Sequence, residues 1–168
     1  LTAGERALVV RTTLDATRGR VPVIGGATAA SADERLAAAR QLIELGCDGV
    51  LAAIPYTTAA EYTQHVAALA QLQPPLLMLQ DWDAAGYGLP LPLILELFDR
   101  FEEFSSIKIE VVPAGVKYSQ LLDATGGRLH AAGGWAVTQM IEALDRGVHT
   151  LMPTGLHPIY TRIYRLYQ

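Results

Sequence analysis

The 168-residue sequence has one cysteine and no dense run of basic residues. A single cysteine, Cys47, excludes an internal disulfide framework, and its place in an apolar run after Gly46 is typical of a buried thiol in a reducing compartment. The formal net charge of -4 argues against nucleic acid or a membrane surface as a partner. No apolar stretch approaches the roughly 18 residues of a membrane span. With no signal peptide visible, we expect a cytoplasmic protein.

Two common site patterns are also missing. The four histidines include no pair with metal-ligand spacing and a nearby carboxylate, so we expect no metal site and no cofactor. The segment VIGGATAASADER, after the first predicted strand, lacks the G-x-G-x-x-G spacing of a dinucleotide-binding sheet. The sequence therefore lacks the main signature of a Rossmann-type fold.

Short apolar runs alternate with stretches of helical spacing, and hydrophobic residues make up 51% of the chain. Two capping-box patterns, Thr2 with Glu5 and Ser31 with Glu34, predict helix starts. Apolar strands joined by amphipathic helices indicate a parallel sheet covered by helices. The pattern predicts seven helices and six strands, at 21–26, 47–54, 74–81, 105–112, 129–134 and 148–155.

Two architectures of the α/β class have such a sheet: an open doubly wound sheet and a (β/α)8 TIM barrel. A barrel usually has eight strand–helix units in about 250 residues. Six units and a leading helix fit a barrel without its first strand, first helix and second strand. With no linker-like segment present, we expect residues 1–168 to form a single, partial TIM-barrel domain.

Lys108 stands in the middle of a predicted strand, between Ile107 and Ile109. Because side chains alternate along a strand, Lys108 and Glu110 share one face and the isoleucines the other. If the isoleucines meet the helices, Lys108 points into the barrel, where desolvation favours the neutral amine that forms a Schiff base with a carbonyl. The alternative is a Lys–Glu pair on the solvated face of an edge strand, which a parallel sheet disfavours. Lys117, in a predicted helix, is expected to be solvated.

Several motifs follow in a fixed order: VPVIGG before a Ser/Thr-rich helix start, GCDGVLAAIPY before a helix, PPLLMLQD, and IKIE. Together they resemble the dihydrodipicolinate synthase/N-acetylneuraminate lyase family along essentially the whole chain. The resemblance implies a TIM barrel, here roughly strands three to eight. It also implies a class I aldolase, which acts as a lyase, aldolase or dehydratase. Such enzymes bind pyruvate or a related 2-oxo acid as an imine on a lysine of strand six. Lys108 matches that lysine. A homo-oligomer, dimer or tetramer, is implied as well.

The chain departs from the family where a Tyr-Asn pair usually ends strand five, because Gln80 and Asp81 stand there. Glutamine does not titrate, so Asp81, Glu110 or a water would relay protons. The arginine that follows this pair in dihydrodipicolinate synthases has no counterpart, which argues against synthase activity on aspartate semialdehyde. We expect Lys108 and Gln80 to act in catalysis. The expected substrate-binding residues are Tyr56, Asp81, Glu110, Gly133, Gly134 and Thr154.

Two other interpretations stay open. Loss of the family's tyrosine and arginine favours a non-catalytic or regulatory paralogue. The other interpretation is that the chain is a piece of a longer enzyme. In that case the missing barrel units would leave strand edges exposed at 21–26 and 148–152. Such edges invite pairing with another chain, and these residues alone would then be poorly soluble or oligomeric.

Overall fold

The computed structural model describes residues 2–168, and for residues 136–138 the backbone only. Within this part of the chain, seven helices alternate with six strands, as the sequence predicts. The helices are α1 Ala3–Thr17, α2 Ala32–Glu44, α3 Ala59–Ala70, α4 Leu91–Arg100, α5 Gly115–Thr125, α6 Ala136–Asp145 and α7 His157–Tyr167. The strands are β1 Ile24–Gly26, β2 Gly49–Ala53, β3 Leu77–Asp83, β4 Phe104–Val111, β5 His130–Gly133 and β6 Thr150–Leu151.

All six strands are parallel and each pairs with the next one along the chain, in the order β1-β2-β3-β4-β5-β6. Sequential order of this kind is that of a barrel and not of a doubly wound sheet, whose strand order reverses. The result is an α/β half-barrel. None of the helices in residues 2–168 is both long and apolar enough to cross a membrane.

Both predicted capping boxes are confirmed. The hydroxyls of Thr2 and Ser31 accept from the N–H groups of Glu5 and Glu34, and the two glutamates bond back to the cap N–H groups. Each box satisfies N–H groups that have no partner within the helix. Gly46, at φ +89°, follows the end of α2 in the left-handed conformation that glycine adopts most readily. The chain thereby turns from α2 into β2.

The two outermost strands are shorter than predicted. The N–H of Val23 donates to the Asp48 carboxylate at 2.7 Å, and Pro22 has no N–H, so β1 begins only at Ile24. At the other edge, β6 spans only Thr150–Leu151. The long strands β3 and β4 lie at the centre of the sheet. The most fully paired backbone therefore carries four of the predicted site residues, Gln80, Asp81, Lys108 and Glu110.

Candidate active site

The two faces of β4 differ as predicted. Ile107 and Ile109 are fully buried in the hydrophobic core, whereas Lys108 and Glu110 are half-buried on the opposite face. Since helices cover the isoleucine face, Lys108 lies on the inner face of the half-barrel. The solvated edge-strand alternative is wrong, because β4 has β3 on one side and β5 on the other.

Three polar side chains meet on this inner face. The Lys108 Nζ lies 2.9 Å from Glu110 Oε1, and both side chains are 14% exposed. Gln80, which pairs in register with Lys108, donates its amide N–H to the other carboxylate oxygen of Glu110. Glu110 therefore bridges an ammonium and an amide, and the remaining exposure leaves Lys108 accessible to a small molecule.

The two glycines at the end of β5, Gly133 within the strand and Gly134 directly after it, have different neighbours. A Cβ at Gly134 would overlap the Glu110 side chain, so glycine is required for that carboxylate to occupy its position. A Cβ at Gly133 would instead point to the helix side, 3.1 Å from the Tyr118 hydroxyl. Burial raises the pKa of Tyr118 to about 12, with Glu142 and Glu110 adding to the effect. Because Tyr118 belongs to α5 and its hydroxyl lies on the helix side of the sheet, we do not assign it the proton relay expected from the resemblance.

A cleft of about 450 Å³ opens beside Gln80, at the carboxyl ends of β1 to β3. Tyr56 and Trp82 line it with large exposed rings, 45% and 62% accessible, and the Tyr56 ring packs edge-on against Tyr62. Trp82 pairs in register with Glu110, which places it on the inner face. The structure therefore brings Tyr56 and Gln80 together in one cleft that a substrate chain could enter.

Asp81 borders the cleft but turns its carboxylate to the helix side, and Lys117 is not in the solvated position that the sequence analysis expected. The Asp81 carboxylate is 1% exposed, and it lies on the helix side of β3, where it forms an ion pair with Lys117 of α5. Asp81 also accepts from the N–H of Leu89 at 2.8 Å. With both oxygens engaged away from Lys108, this placement argues against substrate binding by Asp81. The prediction that Lys117 is solvated is wrong, since its side chain is fully buried.

The surroundings of Lys117 select its charged form. Its Nζ faces the Asp81 carboxylate and lies 2.6 Å and 2.7 Å from the carbonyl oxygens of Tyr87 and Leu89. Burial lowers the pKa of Lys117 and raises that of Asp81, and each charge opposes the shift in its partner. The ordinary pKa values of aspartate and lysine differ by about 6.5 units, so opposed shifts of this kind still leave the proton on the amine. We therefore assign an ionised pair.

Thr154, the remaining predicted residue, lies in the exposed loop after β6, two strands away from Lys108 in the sheet. The structure thus assembles Lys108, Glu110, Gln80 and Gly134 in one cluster, with Tyr56 across the adjoining cleft. Thr154 and Gly133 take part in none of these contacts.

Comparison with known proteins gives one family and one fold. Residues 1–152 match the model of the "Dihydrodipicolinate synthetase family". An L-2-keto-3-deoxyarabonate dehydratase from Azospirillum brasilense is 30% identical over 176 residues, covering 95% of this chain and 55% of that protein. A 4-hydroxy-tetrahydrodipicolinate synthase from Halorhodospira halophila is 41% identical over 69 residues, 39% of this chain and 23% of that protein. The chain thus spans about half, or less, of the length of these relatives.

Solved structures agree on the fold. The 4-hydroxy-tetrahydrodipicolinate synthase from Methylacidiphilum fumariolicum SolV superimposes with a TM-score of 0.88 at 22% identity, covering 99% of this chain and 57% of that chain. The N-acetylneuraminate lyase from Fusobacterium nucleatum, solved with pyruvate, gives 0.86 at 15% identity, over 99% and 57% of the two chains. At these identities the likeness concerns the fold alone.

Proposed function

We propose, from the premise that the chain belongs to the dihydrodipicolinate synthetase family, that it carries the imine-forming part of a lyase or dehydratase acting on pyruvate or a related 2-oxo acid. The observation that carries this proposal is the amine of Lys108, held on the inner face of a parallel half-barrel, partly accessible and 2.9 Å from a carboxylate. In this proposal β1 to β6 correspond to barrel strands three to eight, and Lys108 is the lysine that forms the imine.

Glu110 supplies the acid–base chemistry of the first step. The Lys108 ammonium gives a proton to Glu110 Oε1, and the neutral amine adds to the C2 carbonyl of the 2-oxo acid. A proton passes from the nitrogen to the former carbonyl oxygen, Glu110 gives its own proton to the resulting hydroxyl, which leaves as water, and an iminium joins Nζ to C2. The iminium draws electrons from C3, so either C3–H or C3–C4 becomes easier to break.

The same carboxylate can serve the second step. As a base, Glu110 takes the C3 proton before loss of a C4 hydroxyl, or the proton of that hydroxyl as the C3–C4 bond breaks. Gln80 does not titrate, but its amide donates to Glu110 and fixes the orientation of the carboxylate. Gly134 leaves the space that Glu110 occupies. In the proposal Tyr56, which lines the cleft, binds the distal part of the substrate, and Thr154 stays a predicted contact.

Reductive trapping tests the proposal. The chain is incubated with borohydride and each member of a panel of 2-oxo acids that includes pyruvate, and modified peptides are identified by mass spectrometry. We expect an adduct on Lys108 that is absent in Lys108→Arg. No adduct on Lys108 of the folded chain across the panel would contradict the proposal. If, in addition, 2-oxo acids raised the melting temperature equally in the parent chain and in Lys108→Ala, a non-catalytic binding protein would be supported instead.

A further inference from the structure

We propose that Lys117 is a positioning residue for the cleft. From α5, it holds the β3–α4 loop, residues 84–90, against the end of β3. This loop follows Gln80, Asp81 and Trp82 directly in the chain and closes one side of the cleft. The kinetic consequence rests on the proposed function, whereas the structural consequence does not.

The contacts of Lys117 converge on the loop from one side. Its Nζ donates to the carbonyl oxygens of Tyr87 and Leu89, at 2.6 Å and 2.7 Å, and lies 4.4 Å from the centre of the Tyr87 ring. The Tyr87 hydroxyl and Gln120, one turn further along α5, form a hydrogen bond at 2.5 Å. One helix therefore contacts both the backbone and a side chain of the loop.

Asp81 connects the loop to the strand. Its carboxylate pairs with Lys117 and accepts from the N–H of Leu89. Gly88, at φ +72°, passes so close that a Cβ there would overlap the Asp81 carboxylate. Asp83 adds a further constraint by accepting from the N–H groups of Ala85 and Gly88. The loop is thus folded around two strand-borne carboxylates, and Lys117 neutralises the buried one.

The site lies on the other side of the same strand end. Gln80 and Trp82 flank Asp81 and point to the inner face, while Gly88 and Leu89 form part of the cleft wall. Without the ammonium, Asp81 would be an uncompensated buried charge, which must find water or a proton. Entry of water or protonation of Asp81 would weaken the contacts that hold the loop, and the cleft wall next to Gln80 would become more mobile.

Amide hydrogen exchange on Lys117→Met tests the positioning role without using catalysis. We expect protection at the amides of Gly88 and Leu89 to fall about tenfold or more, while the core strand β2 keeps its protection. Glu142→Gln, which breaks the exposed Arg146–Glu142 pair on α6, is the matched control and should leave loop exchange unchanged. If Lys117→Met does not fold, the charge-free double variant Asp81→Asn with Lys117→Met is used.

Trapping kinetics supply the functional readout. We expect the 2-oxo acid concentration that half-saturates trapping on Lys108 to rise about tenfold in Lys117→Met, with the extent of trapping at saturation unchanged. Uniform loss of protection along the chain would mean that the pair serves only global stability. Unchanged exchange in the loop would mean that Lys117 does not hold the loop. Either result would overturn the inference. Failure of trapping in the parent chain would sink the proposed function and leave the exchange result valid.

Discussion

The sequence contains two lysines, and they occupy opposite sides of the same central strands. Lys108 lies on the inner face, 14% exposed, with Glu110 as its carboxylate partner. Lys117 lies in the helix layer, fully buried, and its partner is Asp81 of β3. Both lysines are paired with a carboxylate, so pairing alone does not mark a functional site.

The two lysines differ in their exposure to solvent and in how many of their N–H groups already have an acceptor. The three N–H groups of Lys117 all face oxygen acceptors, and no surface is left through which a carbonyl compound could approach. Lys108 has one carboxylate contact and an open side. A lysine that must react needs a partner that can take its proton and then let it go, whereas a lysine that holds a loop needs every donor satisfied.

The largest effect is expected from neutralising each carboxylate partner in turn. Glu110→Gln should lower turnover of a 2-oxo acid substrate by about 10²–10⁴-fold, the usual contribution of a positioned acid–base group, with little loss of stability. Asp81→Asn should show the opposite balance, with a large fall in melting temperature and only a modest loss of turnover. Steady-state assays and thermal unfolding of both variants check this, and similar turnover in the two variants would remove the distinction between the pairs.

Removal of the buried ammonium is expected to be the next largest effect. Lys117→Met should cost about 3–5 kcal/mol of unfolding free energy, because it leaves Asp81 charged and buried. The double variant with Asp81→Asn should regain part of that loss, since no uncompensated charge remains. Urea denaturation of the parent, the single variant and the double variant measures the difference. A double variant less stable than Lys117→Met would contradict the assignment of an ionised pair.

A smaller effect is expected from crowding the inner cluster. Gly134→Ala should displace Glu110, because the new Cβ overlaps its side chain. We expect a loss of about 1–3 kcal/mol in stability, together with slower trapping at Lys108, from this overpacking. Gly155→Ala, in a loop where a Cβ meets no atom within 4 Å, is the control. Normal trapping in Gly134→Ala would show that the position of Glu110 is not critical.

The smallest effect concerns a titratable pair, His130 and His149, that contacts neither lysine in the hydrogen bonds and ion pairs of the described residues. The rings of His130 and His149 stack at 4.4 Å, and His149 Nδ1 accepts from the N–H of Ala131. Partial desolvation and the neighbouring His149 ring lower the pKa of His130, although its side chain is exposed. Its neutral form is therefore favoured in the folded chain, and stability should fall as the pH drops from about 6.5, the usual pKa of histidine. His130→Phe should show a weaker fall between pH 7 and 5 in urea denaturation; identical pH profiles would exclude this contribution.

The sequence predicts much of this arrangement because strand periodicity is a local property. Alternation along residues 107–110 places Lys108 and Glu110 on one face regardless of the remaining chain, and the structure confirms it. The capping boxes at Thr2 and Ser31 are equally local and equally confirmed. The contact between Glu110 and Gln80 needs the register of β3 against β4, which no short motif specifies.

Lys117 shows where local patterns stop. Its place four residues before Leu121, on the apolar face of α5, was a signal that it would be buried. Burial of a lysine requires a partner, and Asp81 stood among the expected substrate-binding residues because its strand end faces the site. Only the pairing of α5 with the β3–α4 loop shows that the carboxylate turns to the helix layer.

Site-resolved trapping with pyruvate and borohydride tests the contrast between the two lysines most directly. Modification of Lys108 and Lys117 is quantified separately by peptide mass spectrometry, in the folded chain and in urea. We expect the folded chain to be labelled at Lys108 and not at Lys117, and the two lysines to be labelled to a similar extent once the chain unfolds. Equal labelling of both in the folded chain, or labelling of Lys108 only after unfolding, would contradict this expectation.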